Sequence, residues 1–208
     1  MAIRVLNYAP MHPWFPRWRL GAPCLLVATN QGPVRVDTGL GLHDFIRLLP
    51  MVRFSRWDFG ISRDPGCTAV KQLAGMGLDP VLVQHIVLTY LQFDHASGLP
   101  DCLHAKVHVH RREYEAMHRR RSWLALACDR AVFAHGPAWV TSDHAGELWL
   151  ELDAIRLPFD PEMYLIPLFE HPAGHGGVAI RASGGWLFQC ADVLPTNAEF
   201  GLTRDWLN

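Results

Sequence analysis

Residues 87 to 98 read Val-Leu-Thr-Tyr-Leu-Gln-Phe-Asp-His-Ala-Ser-Gly, an apolar strand that breaks into an Asp-His pair and then a turn of small residues. The pattern places two metal-capable side chains, Asp94 and His95, at the end of a strand. Imidazole nitrogen and carboxylate oxygen suit zinc, iron or manganese, and strand-end loops can bring such groups together from distant positions. A second histidine group, His104, His108 and His110, alternates along a short strand-like run. His108 and His110 would share one face. That spacing could grip a metal, but a solvated or hydrogen-bonded strand face is the expectation.

The elements that must position these residues follow from periodicity and turn chemistry. Segments 24 to 29 and 34 to 37 flank Asn30-Gln31-Gly32-Pro33 and read as a β-hairpin whose second strand ends in Asp37-Thr38-Gly39. Pro65-Gly66 precedes a segment, Cys67 to Met76, whose apolar positions approximate helical spacing, and Gly77 suits a C-terminal cap. A strand over 82 to 89 follows, then a strand over 106 to 109 and a helix from Arg111 to Arg121. Further strands are expected at 164 to 170, 178 to 182 and 186 to 190, the last two turning at Ser183-Gly184-Gly185. Hairpins with helices between groups predict an α/β (α+β) domain with mixed sheets rather than one doubly wound parallel sheet. A single domain over 1–208 is the default for 208 residues of which 50% are hydrophobic.

A formal net charge of −1 gives no long-range field to hold nucleic acid or an anionic membrane. A small-molecule substrate is the expected partner. The N-terminus shows no signal-peptide pattern and no uncharged stretch reaches transmembrane length, so the expected location is cytoplasmic. The 5 cysteines are widely spaced without a Cys-x-x-Cys pair, which reads as reduced thiols, mostly in the core.

Thr89 to Gly98 resembles the Thr-His-x-His-x-Asp-His-x-x-Gly signature of the metallo-β-lactamase superfamily, with Tyr90 and Gln92 standing where the family has its first two histidines. Asp37-Thr38-Gly39 resembles the family's early Asp-Thr-Gly turn, Gly174-His175-Gly176-Gly177 its Gly-His loop, and Ala191-Asp192 its late Gly-Asp pair. The resemblance implies an αββα sandwich of two mixed β-sheets flanked by helices, here without the last strand and helix. It also implies Asp94, His95, His175 and Asp192 as metal ligands. In the family one ion takes the first two histidines and the residue at His175. A second ion takes the residues at Asp94 and His95 with a final histidine, and Asp192 bridges the two. With Tyr90 and Gln92 in place, the expectation is one ion at most, zinc or else manganese or iron, and no ion at all in the alternative reading.

The resemblance further implies hydrolysis of a small ester, lactone or thioester by metal-activated water, with Asp94 as ligand and proton acceptor. Tyr90 would then bind substrate by bonding a developing oxyanion. The rival expectation is a non-catalytic relative kept as a binding or regulatory module. Asp37-Thr38-Gly39 reads as structural, its Asp tying its own turn and its Gly permitting positive φ. His118-Arg119-Arg120-Arg121 reads as a solvated helix end. Met11, Trp14, Phe15 and Trp18 could line a pocket, pack in the core or form a dimer surface, and a homodimer would cover an open sheet edge.

Overall fold

The computed structural model describes residues 3–6, 23–46, 64–119, 130–143, 146–169 and 174–193. The aromatic cluster from Met11 to Trp18, Cys128 and Arg120-Arg121 lie outside the described residues.

Two sheets organise the chain. The first has six strands in sequential order: β1 (Ile3–Leu6), β2 (Cys24–Thr29), β3 (Gly32–Val36), β4 (His85–Val87), β5 (Lys106–His110) and β6 (Ala138–Ser142). β1, β2 and β3 pair antiparallel, and β3 through β6 pair parallel. The second sheet has five strands in the order β11-β10-β9-β8-β7: β7 (Glu147–Trp149), β8 (Leu152–Leu157), β9 (Met163–Pro167), β10 (Gly176–Ala182) and β11 (Gly185–Gln189). It is antiparallel throughout. Only the first sheet is therefore mixed, because parallel pairing requires long crossovers and the second sheet is built from short turns.

Among the described residues the α-helices are α1 (His43–Ile46), α2 (Ala69–Gly75), α3 (Phe93–Ala96) and α4 (Arg111–His118). The pleat sorts the side chains by parity. Leu26, Ile86, Val107 and Val109 face Leu73 of α2, Ala96 of α3 and Met117 of α4. Their strand neighbours Leu25, Val27, Val36 and Val87 face Leu157, Met163, Leu165, Val178 and Ile180 of the second sheet. That alternation makes one layer of core between helices and sheet and another between the sheets. The outer face of the second sheet carries a third cluster of Trp149, Ala154, Tyr164, Ile166 and Ala179.

Local chemistry explains the ends of several elements. Gly77, at φ 73, closes α2: its amide bonds Ala74 O and the Leu78 amide bonds Leu73 O, each at 2.9 to 3.0 Å. The strand expected over 82 to 89 is shortened to His85–Val87, because Pro80–Leu82 forms a 3-10 turn capped by Asp79. The chain leaves the sheet at Leu88, so Asp94 and His95 lie on α3, a short helix beyond the strand end. α4 stops at His118, whose Nδ1 bonds the Tyr114 carbonyl at 2.8 Å.

His108 and His110 do share a face, but it is buried, at 5% and 3% exposure, and not solvated. His85 Nδ1 lies 3.0 Å from His108 Nε2, and both rings stand edge-on to Phe159. Of the described cysteines, Cys24 and Cys102 are buried, Cys67 and Cys190 are half-buried, and none of the four is in a disulfide. At the β7–β8 hairpin, Leu150 and Glu151 both take positive φ, and Leu148, Leu150 and Leu152 stand exposed beside the edge strand. Among the described residues no helix is long and apolar enough to cross a membrane.

Candidate metal centre

Asp37 is the first residue after β3 and takes φ 57, a conformation a short polar side chain tolerates better than most. Its amide bonds Val87 O at 2.9 Å, fixing the turn to the end of β4. Its fully buried carboxylate receives the Thr89 amide at 2.9 Å, the Thr89 hydroxyl at 2.9 Å and Gln189 Nε2 at 3.1 Å. His95 Nδ1 stands 2.9 Å from the same carboxylate. A carboxylate only accepts, so Nδ1 carries the proton and Nε2 points the other way.

The rest of the turn holds α3. The Thr38 amide and hydroxyl both donate to the His95 carbonyl, at 2.7 and 2.8 Å. Gly98 is required where α3 meets this turn, since a Cβ there would lie 2.7 Å from the Thr38 carbonyl oxygen. Gly39 takes φ 60 as its type suggests, but the Asp37 carboxylate ties Thr89, Gln189 and His95 rather than its own turn, so what the Asp-Thr-Gly turn supports is the ring of His95.

His95 Nε2 lies 3.5 Å from Asp192 Oδ1 and 3.9 Å from Asp94 Oδ2. One donor atom from each of Asp94, His95 and Asp192 falls within 4.8 Å of the others. His175 is not in that group; its ring packs on Tyr90 at 5.0 Å between centroids, and both its nitrogens are buried without a hydrogen-bond partner. Tyr90 also stacks on His95 at 4.2 Å and donates its hydroxyl to Asp192 Oδ2. A phenol expected to meet a substrate oxygen is therefore wholly buried and spent on a carboxylate, so it is not positioned as a substrate contact. Gln92 is half-buried at the residue before α3 and makes no side-chain cap there.

Electrostatics separate the members. Burial pushes the Asp94 carboxyl up to about 6, with Asp192 adding to the effect and His95 opposing it. Burial would also raise Asp192, but His95 and the Tyr90 hydroxyl hold it down at about 2. Burial would lower His95, yet Asp37, Asp94 and Asp192 keep it well above the usual imidazole range. Burial and the neighbouring His95 drop His175 to about 4, a neutral ring. The Tyr90 phenol is driven far up by burial and by Asp94 and Asp192.

Two glycine contacts and a glutamate fix the His175 loop. A Cβ on Gly174 would lie 2.1 Å from the Glu113 amide nitrogen, so only glycine permits that approach. Glu113, on the first turn of α4, takes the Leu91 amide at 3.0 Å. The Gly176 amide bonds the Thr89 carbonyl at 2.9 Å. Sequence reasoning missed Glu113, Thr89 and Gln189 as supports. Thr89 belongs to the motif, but nothing in the spacing of Glu113 or Gln189 marks them.

The residues present fit a cation. Asp94 Oδ1 is buried without a hydrogen-bond partner, and His95 Nε2 faces only carboxylate oxygens at 3.5 and 3.9 Å, an arrangement that is costly unless something else satisfies it. Ligands about 2.1 Å from a tetrahedral ion stand roughly 3.4 Å apart, close to the spacings around His95 Nε2. Asp94, His95 and Asp192 would hold it. An open recess of about 460 Å³ lined by His110, Arg112, Pro167 and Phe169 includes none of these residues. The converging donors, not the recess, define the site.

The first relatives by sequence are probable metallo-hydrolases of Mycobacterium tuberculosis and Mycobacterium bovis, each 34% identical over 174 residues, 82% of this chain. The match spans 56% of their length, so this chain covers little more than half of those relatives. No family model matches. Among solved structures, a probable metal-dependent hydrolase from Staphylococcus aureus superposes with a TM-score of 0.69 at 17% identity, over 95% of this chain and 74% of its own. An N-acyl homoserine lactone hydrolase, solved with product at its catalytic metal centre, superposes at 0.66 with 20% identity, over 89% and 73%. A subclass B3 metallo-β-lactamase from a soil metagenome library superposes at 0.52 with 10% identity, over 89% and 58%. The chain has the metallo-β-lactamase fold. Within that fold, its described donor group is Asp94, His95 and Asp192.

Proposed function

We propose that this metallo-β-lactamase-fold chain is a metal-dependent hydrolase of a small ester, lactone or thioester that works with a single ion at Asp94, His95 and Asp192. One observation carries the reading: two carboxylates, Asp94 and Asp192, converge on His95 Nε2 in the buried interior, and Asp94 Oδ1 stays buried without a hydrogen-bond partner. The mycobacterial relatives and the lactone hydrolase of the same fold support the reaction class and favour a carbonyl substrate.

An ion there supplies Lewis acidity, polarising a carbonyl oxygen and making water more acidic. The protein's own part is positional and acid–base. Asp37 holds the His95 ring by Nδ1, the arrangement that orients an imidazole ligand and raises its basicity. Asp94, with one oxygen uncommitted, accepts the proton released by the attacking water. His175, neutral and buried, lines the same interior without carrying charge into it.

Elemental mass spectrometry on chelator-free protein exposed in turn to zinc, manganese and iron should find one ion per chain, and an ester and lactone screen should find turnover. Asp192→Ala should abolish both. Unchanged hydrolysis in that variant would overturn the assignment. The second reading, a binding module without catalysis, is favoured by Tyr90 and Gln92 standing in the signature, and absence of any ion under all three conditions would select it.

A further inference from the structure

Tyr90 lies in the loop between β4 and α3, and its side chain is wholly buried although it ends in a polar group. Its ring packs on two imidazoles, His95 at 4.2 Å and His175 at 5.0 Å between centroids. Its hydroxyl meets Asp192 Oδ2, while the other oxygen of that carboxylate faces His95 Nε2 at 3.5 Å. The two oxygens of Asp192 are therefore divided between the phenol and the donor cluster. Contact between a phenol oxygen and a carboxylate oxygen needs a proton between them, since two acceptors repel.

Asp192 needs such a hold. It sits on a short 3-10 turn, Ala191–Val193, entered through Ala191 at φ 48, and its side chain is 33% exposed. A carboxylate so placed turns toward water unless something inside fixes it. A charge-assisted O–H···O⁻ bond from a buried donor is among the stronger neutral-to-ion contacts available. The same ring sets the reach of His175, because aromatic carbon packs against the imidazole whose two nitrogens are otherwise unpartnered.

We propose that Tyr90 is a positioning residue whose hydroxyl proton serves Asp192 in place of a further cation, aiming its free oxygen at His95 and keeping His175 out of the ligand set, so that the chain holds one ion only. The proposal rests on the preceding reading that Asp94, His95 and Asp192 take an ion. It adds that the number of ions is set by a residue that touches neither ion nor substrate.

The test compares the whole chain with Tyr90→Phe and Tyr90→His, using zinc and then manganese, with ions counted by elemental mass spectrometry and affinity measured by titration calorimetry. Tyr90→Phe keeps the ring and removes only the hydroxyl, so zinc affinity should fall by about 10- to 100-fold, the usual effect of losing a partner that orients a ligand. A residue serving only as core filling would leave it unchanged. Tyr90→His opens the space and adds a donor beside His175 and Asp192, so it should hold one ion more than the parent chain. If the parent holds none, the hydrolase reading fails, while the extra ion in Tyr90→His still supports the role of Tyr90. Equal ion counts in parent and Tyr90→His, or, where the parent binds zinc, equal zinc affinity in parent and Tyr90→Phe, would overturn it. Circular dichroism checks that both variants are folded. If Tyr90→His is not, the Tyr90→Phe affinity decides.

Discussion

Asp37 collects the Thr89 amide and hydroxyl, the Gln189 amide and the His95 ring on one buried carboxylate. Every partner donates, so the group must be an acceptor on both oxygens. Asp37→Asn preserves the shape but turns one acceptor into an NH₂ donor facing another donor. We expect a loss of about 3 kcal/mol in urea unfolding, the scale for breaking a buried charged network. Zinc affinity should fall by about 10- to 100-fold as the His95 ring loses its anchor. Retention of both would remove Asp37 from the site. At this scale the sequence was legible where a motif compresses several roles into ten residues, as it does for Asp94 and His95. It was silent on Gln189, which reaches Asp37 across 152 positions, and on the direction of the Tyr90 hydroxyl, which depends on where Asp192 comes to rest.

Strands and helices were legible in proportion to how much their own residues decide them. The β2–β3 hairpin follows from its turn residues, and α2 ends where Gly77 supplies positive φ. β4 was overextended because apolar residues continue past Val87, where backbone pairing with β5 no longer governs the chain and the Asp37 turn takes over. On β5 the alternation located the histidines on one face but could not say that Phe159 would close over it. Burial, then His85 and Lys106, depress His108 to about 4. His85 is itself lowered by burial and Lys106. Because the folded pKa lies below the unfolded value near 6.5, the unfolded chain takes up the proton first as the pH falls. Stability should therefore hold above about pH 6.5 and decline from there towards pH 4, by about 3 kcal/mol from this one group. His108→Leu should flatten that part of a denaturation-versus-pH profile, and an unaltered slope would show that the pair does not carry it.

At the scale of the whole molecule, the two sheets meet through apolar faces and are cross-tied by polar contacts at one end. Gln189 of β11 donates to the Pro23 carbonyl at 2.8 Å as well as to Asp37, and Tyr90 closes the same end on Asp192. The fold class was readable from the ordered signatures, since each falls at a strand end that the topology brings to one edge. The antiparallel character of the second sheet was not, because pairing partners are fixed by packing rather than by strand composition. The far edge of that sheet has a different character. Leu148, Leu150 and Leu152 are exposed at 69%, 71% and 43% around the β7–β8 turn. An exposed apolar edge promotes strand-to-strand association. Leu148→Lys with Leu150→Lys should lower concentration-dependent self-association in sedimentation velocity while changing folding stability by no more than about 0.5 kcal/mol. An unchanged sedimentation profile would place any self-association elsewhere.

The cross-tie between Asp37 and Gln189 also has a meaning in time. With 152 positions between them, a ribosome adding roughly 5 to 20 residues per second exposes the Asp37 carboxylate about 8 to 30 s before its last donor is made. Asp192 follows three positions after Gln189. During synthesis the Asp94-His95 pair is thus present early, and the third member of the donor group is made only after the last strand of the second sheet.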